Sequence, residues 1–422
     1  MKFNAPKGTQ DLLPDVTAAW QRVERKFADI CRLYGYEEIR VPTFEHTEIF
    51  QRGVGDTTDI VQKEMYTFED LGGRSMTLRP EGTAGVVRSF VENGMASKAF
   101  PVKLYYLITA FRYENVQKGR YREFHQLGVE AFGSEGPLID AEIVAMLAHF
   151  FRERGLKQLD LQVNSIGCPS CRAEHKKALI DFLSPHKDEL CADCRERLER
   201  NPLRVLDCKE ESCRKVTEDA PVMLDYLDEG CKAHFEGFTE ALDNLGVAYH
   251  INPRIVRGLD YYTRTVFEFV SENVGTQGTI CGGGRYNGLV QELGGPEVPG
   301  IGFAMGEERL MIELEAQGVL PDERPVPRLF VASMDEASLK KAQQLVQRLR
   351  YRGIPAEYEL CGRSMRAQMK QADRSGAEYL MVIGQNEREA GKANIRSLRE
   401  RDKAEECFAF DDMEGLAERL RA

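Results

Sequence analysis

The chain has 422 residues, enough for two or three domains, and its 42% hydrophobic and 30% charged residues are those of an ordinary globular protein. A formal charge of −11 excludes a uniformly basic nucleic-acid binder but leaves room for a local basic face. No run approaches a membrane span and Met1 to Leu13 carries no apolar signal core, so the expected location is the cytoplasm, with reduced thiols.

Within 16–34 the apolar residues Trp20, Val23, Phe27, Ile30, Cys31 and Tyr34 recur at helical spacing and predict an amphipathic helix. Residues 35–45 read as a strand, with Pro42 at an edge or bend because it has no N–H to donate. Strand-like runs recur at 74–78, 102–111, 124–132 and 159–166. The spacing of the middle two predicts a hairpin in an antiparallel sheet. Residues 168–235 shift to charge, cysteine and Asn-Pro and read as a mostly helical insertion. The sheet resumes near 249 and ends in Gly300-Ile-Gly-Phe-Ala-Met-Gly306, ahead of a helix to about 316. Pro321-Asp-Glu-Arg-Pro-Val-Pro327 reads as a linker. Beyond it, strands at 328–332, 355–360 and 378–383 alternate with helices at 335–352 and 364–375, the order of an α/β domain.

Three stretches carry chemistry. Phe111-Arg-Tyr-Glu114 and Arg120-Tyr-Arg-Glu-Phe124 flank a hairpin tip with arginines and an aromatic ring, which suits a nucleoside triphosphate. Arginine grips phosphate oxygens in pairs, and a ring face accepts a stacked base. Arg257-Gly-Leu-Asp-Tyr-Tyr-Thr-Arg-Thr-Val-Phe-Glu-Phe269 sets a cation and two tyrosines on a turn ahead of a period-2 strand. Thr265, Phe267 and Phe269 fall on one face of that strand, Val266 and Glu268 on the other. In Cys281-Gly-Gly-Gly-Arg-Tyr-Asn-Gly288 the absence of side chains lets backbone approach a ligand closely.

The last two stretches together resemble the paired histidine-binding signatures of histidyl-tRNA synthetases. The arginine hairpin resembles motif 2 of class II aminoacyl-tRNA synthetases, Gly306-Glu-Glu-Arg-Leu310 motif 3, and the strand with Pro42 motif 1. Gly8-Thr-Gln-Asp11 and Leu78-Arg-Pro-Glu-Gly-Thr83 fit the same branch. The resemblance implies an α+β fold: a class II antiparallel sheet flanked by helices over 1–325, interrupted by the 168–235 insertion, and an α/β anticodon-binding domain over 326–422. It also implies a homodimer that uses ATP with Mg²⁺, L-histidine and tRNA(His).

By the same resemblance, Arg112 would hold the α-phosphate of ATP, Arg120 the outer phosphates and Arg309 the γ-phosphate end. Phe124 would stack on adenine, with Arg309 on its other face. Glu81, Thr83 and Gln126 would receive the ammonium of histidine. Glu130 and Tyr262 would bond the two imidazole nitrogens, Tyr286 would wall the ring, and Tyr261 would join the same pocket. Arg257 would face the α-phosphate and the carboxylate, the catalytic place it shares with Arg112. Two other functions stand beside this one. They are a synthetase-like regulatory subunit of the first enzyme of histidine biosynthesis, and an RNA-binding sensor without catalysis. The retained phosphate arginines and the C-terminal domain disfavour both.

Six of eleven cysteines lie between 168 and 213. Cys168-x₂-Cys171 with Cys191-x₂-Cys194 has the spacing of a tetrathiolate zinc knot, and Cys208-x₄-Cys213 follows; free packed thiols are the favoured alternative, and zinc is left uncommitted. His175 and His186 fall on charged helices and read as solvated. Residues 326–422 hold 18 Lys/Arg against 16 Asp/Glu, +2, which leaves −13 for the rest. Arg363, Arg366, Lys370 and Arg374 share one helix face, a candidate tRNA contact, and a second basic cluster runs from 388 to 403.

Overall fold

A computed structural model describes residues 3–55, 58–208, 210–274, 278–321, 325–400 and 402–421. The chain divides into two compact units, Met1–Asp322 and Glu323–Ala422. Residues 322–324 of the proline-rich linker lie outside the described residues.

In the first unit the strands are, in chain order, β1 (Glu37–Glu38), β2 (Phe44–His46), β3 (Tyr66–Glu69), β4 (Ser75–Leu78), β5 (Val102–Phe111), β6 (Glu123–Phe132), β7 (Asp160–Ser165), β8 (His250–Ile251), β9 (Thr263–Val270), β10 (Thr279–Arg285) and β11 (Gly300–Gly306). Eight of them form one sheet in the order β1-β5-β6-β11-β10-β9-β7-β8. Its inner pairs are antiparallel, and only the short edges β1 and β8 run parallel to their neighbours. The predicted hairpin is β5–β6, in register from Val102 opposite Phe132 to Phe111 opposite Glu123. One expectation fails locally: 35–45 is not a single strand. It breaks at Pro42 into β1 in the large sheet and β2 in a separate three-stranded sheet, β2-β4-β3. A residue without an N–H cannot continue either ladder.

The large sheet is apolar on both faces. Helix Pro14–Leu33 brings Trp20, Val23 and Phe27 against one face. Phe150 of helix Leu138–Glu153, Phe238 of helix Glu229–Asn244, Phe267 and Phe303 join them there. Helix Thr83–Glu92 covers the other face with Val86, Val87 and Phe90, against Tyr106, Val266 and Tyr286. The alternation read in β9 holds, with Phe267 and Phe269 in one core and Val266 in the other.

The insertion is helical, as expected. Residue 235, its expected C-terminal bound, lies inside helix Glu229–Asn244, which gives Cys231 to the cysteine cluster and Phe235 and Phe238 to the main core. His175 is not solvated. It sits with Cys171, Leu179 and Leu183 on the stripe, four residues apart, that helix Pro169–Leu183 buries, and its Nε2 meets Pro221 O at 2.7 Å. Burial lowers its pKa. His186 is exposed, 2.8 Å from Glu189.

The second unit contains β12 (Leu329–Ser333), β13 (Ala356–Tyr358), β14 (Tyr379–Ile383), β15 (Lys392–Ser397) and β16 (Glu406–Ala409) in the order β13-β12-β14-β15-β16. The first three are parallel, as the αβ alternation requires, and the last two are added antiparallel. The 388–403 basic cluster is in part the exposed side of β15, whose Ala393 and Ile395 face the core.

One buried network ties the glycine-rich strand to the helical layer. Arg285, at the end of β10, and Asp140, on helix Leu138–Glu153, are both 0% exposed and form an ion pair through Nη2 and Oδ1. Arg285 Nε also donates to Asp140 Oδ2 at 3.2 Å. Its Nη1 and Nη2 donate to Ser134 O (2.8 Å) and Gly136 O (2.9 Å), and His234 Nε2 completes the carboxylate at 2.8 Å. Asp140→Ala leaves a buried guanidinium without its counter-charge. The expected loss in urea unfolding is about 3–5 kcal/mol, and a loss below about 1 kcal/mol would show the pair to be dispensable.

Candidate active site

The arginine hairpin, the signature turn and the glycine strand converge on one cavity of 180 Å³. Its lining includes Arg112, Arg120, Arg257 and Arg309 with Glu81, Thr83, Phe124, Gln126, Tyr261 and Tyr262. Four guanidinium groups against the carboxylates of Glu81, Glu114 and Glu308 make the wall locally cationic within an acidic chain.

Backbone carbonyls hold two of these cations and carboxylates the other two. Arg112 Nε donates to Pro80 O at 2.8 Å, and its guanidinium lies 5.2 Å from the Phe124 ring centre. Arg309, in the first turn of helix Glu307–Ala316, donates to Thr279 O at 2.7 Å and Gly119 O at 3.2 Å. Burial and then Arg120 lower its pKa. Arg120 and Arg112 stand 3.4 and 3.8 Å from Glu114. The N-terminal Gly8 braces this hairpin by accepting from Arg122 N at 2.7 Å. Arg79 clips it to the Pro42 segment, donating to Thr109 O (2.7 Å), Val41 O (2.8 Å) and Pro42 O (3.2 Å).

Arg257 is ion-paired with Glu268 of β9, whose other oxygen accepts from Thr279 Oγ1 at 2.7 Å. Its guanidinium lies flat on β10 because position 282 is glycine: a Cβ there would stand 2.5 Å from Nη1. Gly302 of β11 makes comparable room for the carboxylate of Glu130. The pair holds Arg257 firmly ionised, with a pKa above the ordinary arginine value although burial opposes it.

Glu81 accepts from the backbone N–H groups of Thr83 and Ala84, each at 2.8 Å, at the start of helix Thr83–Glu92. Burial raises its pKa and these donors oppose the rise. Tyr261 and Tyr262 are 8% and 5% exposed with ring centres 4.6 Å apart and form part of the cavity wall. Gln126 Oε1 and the Nε atoms of Arg120 and Arg257 are buried without a hydrogen-bond partner among the described residues.

Glu130 and Tyr286 do not line the cavity. They lie one layer deeper, where Glu130 is fully buried and accepts from Tyr286 Oη and, at 3.3 Å, from Tyr106 Oη. Burial pushes the Glu130 carboxyl up to about 8. The residues that sequence reasoning missed are the supports: Arg79, Asp140, Glu268, Arg285 and Glu308. Glu308 receives His125 N at 3.0 Å and sits 2.9 Å from His125 Nδ1. Only Glu268 carried a signal, as a lone carboxylate flanked by phenylalanines in a period-2 strand.

The remaining predicted clusters rearrange. Cys168 and Cys171 do not join Cys191 and Cys194. The first pair meets Asp228 and Cys231, the second Cys208 and Cys213. Three pairs spaced along a chain leave the partnering open, and the helical packing decides it. In the second unit Arg366, Lys370 and Arg374 are exposed on helix Met365–Ser375. Arg363 precedes that helix and donates to Cys361 Sγ at 3.3 Å, so it is off the face.

Fold and site together define an aminoacyl-tRNA ligase. The histidyl-tRNA synthetase family model matches residues 8–310, and the anticodon binding domain model residues 328–419. Over 94% of this chain and 95% of its own length, the histidine–tRNA ligase of Acetivibrio thermocellus is 58% identical; that of Caldicellulosiruptor bescii is 52% identical over the whole of both chains. The crystal structure of apo Staphylococcus aureus histidyl-tRNA synthetase superposes with a TM-score of 0.84 at 40% identity, covering 100% of both chains. The chain belongs to the histidyl-tRNA synthetase family. A regulatory-subunit reading is not favoured.

Glu130 generates a pH prediction. Its carboxyl titrates at about 8 in the folded chain against an ordinary 4.5. Between those values the native state holds a proton that the unfolded chain releases, so this group costs stability as pH rises through the window. Glu130→Gln abolishes the titration. The melting temperature of the variant relative to wild type is expected to climb from about pH 4.5 to about pH 8. A difference that stays constant across that range contradicts a buried, proton-holding Glu130.

Proposed function

We propose that the chain activates L-histidine with ATP to histidyl-adenylate and pyrophosphate, then transfers histidine to the 3′ end of tRNA(His). The observation that carries this is the meeting of four arginines with Glu81, Thr83, Gln126 and two tyrosines in one cavity. The histidine carboxylate and the α-phosphate repel one another until cations neutralise them. Arg112 and Arg257, held in place before substrate arrives, lower that barrier with no solvent reorganisation and no covalent enzyme intermediate. Arg120 and Arg309 take the outer phosphates, with Phe124 and Arg309 on the two faces of adenine. Glu81, Thr83 and the unpartnered Gln126 Oε1 take the ammonium. Glu130 and Tyr262 bond the imidazole nitrogens, and Tyr286 closes the pocket wall behind the ring beside Tyr261. The carboxylates of Glu114 and Glu308 beside the phosphate arginines are the oxygen donors Mg²⁺ prefers; bound with ATP, it would supply further charge neutralisation. The work is placed in the cytoplasm, where tRNA is charged for translation.

Histidine-dependent exchange of pyrophosphate into ATP tests the reading as a whole. A chain that binds histidine without exchange is a sensor and not a ligase. Within the reaction, Arg257→Ala is expected to slow single-turnover adenylate formation by at least about 10²-fold, the scale of one lost preorganised donor, with histidine affinity much less affected. Near-normal adenylate formation in that variant would remove Arg257 from the chemistry.

Transfer needs tRNA, and we assign its anticodon side to the second unit through Arg366, Lys370 and Arg374, with Arg363 beside them. Arg366→Glu with Lys370→Glu is expected to raise the KM for tRNA while leaving pyrophosphate exchange intact, and its effect shrinks at high salt if the contacts are to phosphates. An unchanged KM at low salt argues for a different face.

The homodimer is placed at the β2-β4-β3 sheet. Phe44 and Phe68 stand there 51% and 43% exposed, edge to face at 6.3 Å, an apolar surface that a two-fold partner covers. Sedimentation equilibrium at micromolar concentration is expected to give twice the chain mass, and Phe44→Asp with Phe68→Asp to give the monomer.

A further inference from the structure

The insertion contains a cluster that the proposed reaction does not use. The Sγ atoms of Cys191, Cys194, Cys208 and Cys213 all lie within 4.8 Å of one another, and Cys191 and Cys208 are 3.9 Å apart. Four thiolates around zinc, at about 2.3 Å each, place their sulfurs roughly 3.8 Å apart. The cluster therefore needs only a small contraction to become a tetrahedral site. Cys191 N–H already donates to Cys213 Sγ at 3.2 Å, a bond that steadies a thiolate. Cys194 and Cys213 are buried, whereas Cys191 and Cys208 are half-buried, which leaves an entry path.

We infer that these four cysteines form a structural zinc site that pins the insertion against the signature turn. The segment needs a staple. The helices that carry or flank these cysteines, Ala192–Arg200 and Glu211–Val216, are too short to be stable by themselves, and the core they share with helix Pro169–Leu183 is a small one around Leu179, Leu183, Leu198 and Val205. Between the two cysteine pairs lie Asn201 and Arg204. Asn201 Nδ2 donates to Asp260 Oδ1 of the signature turn at 3.2 Å, and Arg204 Nη2 donates to Asp59 Oδ2 at 2.9 Å. The staple thus holds Asn201, which docks on the loop carrying Arg257, Tyr261 and Tyr262, and Arg204, which docks on the segment carrying Asp59. Binding displaces the thiol protons to solvent, and the coordinated site has no open position for catalysis.

The neighbouring group of Cys168, Cys171, Asp228 and Cys231 has another account. Asp228 Oδ1 caps the next helix by accepting from Cys231 N at 2.7 Å, and its Oδ2 accepts from Cys168 Sγ at 3.1 Å, so that cluster is satisfied without a metal.

The full chain, purified under reducing conditions without chelator, is expected to carry about one zinc per chain by plasma mass spectrometry. Cobalt exchanged into it should show the visible ligand-field bands and near-ultraviolet charge transfer of a tetrahedral tetrathiolate. Cys194→Ser with Cys213→Ser should lose the metal, while Cys168→Ser with Cys231→Ser keeps it. If the buried double variant fails to fold, Cys208→Ser at the half-buried rim should still shift the cobalt spectrum as oxygen replaces sulfur. Chelation of the wild type should speed proteolysis within 190–215 before elsewhere. A chain that holds no zinc and takes up none, with its thiols reacting at the same rate in the presence of added zinc, overturns the assignment. Zinc retained in full by the Cys194 and Cys213 variant overturns it too.

Discussion

The site depends on one strand having almost no side chains. β10 lies between β9 and β11 in the large sheet, and its Gly282, Gly283 and Gly284 leave room on both faces where other strands would be filled. Such a strand is intrinsically weak, since glycine gives up more backbone freedom on folding and packs nothing in return. Compensation comes at its end. Arg285, buried and bonded to Asp140 and to two carbonyls, fixes the strand to the helical layer, and Tyr286 beside it reaches Glu130. The buried pair thereby serves geometry more than stability: a hydrophobic pair of equal volume would be no less stable, yet it would not aim the strand.

The same economy governs charge. An acidic chain that is to take a polyanionic nucleotide, as proposed, needs a local cationic place, and this one concentrates guanidinium groups in one concavity where the surrounding low-dielectric protein focuses their field. Left bare, such a cluster would repel itself. Arg112 and Arg309 spread their charge onto backbone carbonyls, Arg120 leans on Glu114, and Arg257 is neutralised by Glu268. On the proposed reading a ligand phosphate finds cations already oriented, and Arg257 and Arg120 share their carboxylate partners with the incoming group.

What could be read from the sequence was whatever repeats locally. The helical stripe of 16–34, the β5–β6 hairpin and the β9 alternation follow from periods of 3.6 and 2, and they stand in the structure within two residues. The 35–45 reading failed because a strand pattern does not say which sheet it joins, and Pro42 permitted two. His175 was misjudged because charged neighbours hid a four-residue stripe that only tertiary packing uses. The residues that support the site were illegible for a plainer reason. Asp140 and Arg285 are 145 positions apart, and Arg79 acts by touching carbonyls that every residue possesses. The cysteines lie between these cases: spacing identified pairs, but which pairs meet depends on how short helices fold back on one another.

On the proposed reading, specificity for an imidazole follows from the depth at which Glu130 sits. Burial raises the proton affinity of that carboxyl, one layer behind the cavity, and places it to share a proton with an imidazole nitrogen. A ligand that carries such a nitrogen converts a buried neutral acid into half of a charge-assisted hydrogen bond. A ligand of the same size without it leaves the acid, Tyr262 and Gln126 facing an apolar surface. Pockets built to bond a polar side chain reject the apolar analogue by roughly 10⁴-fold or more, because the groups left unpaired are already desolvated. On this reading the raised proton affinity of Glu130 is the source of selection, and no separate editing step has to be added to the fold.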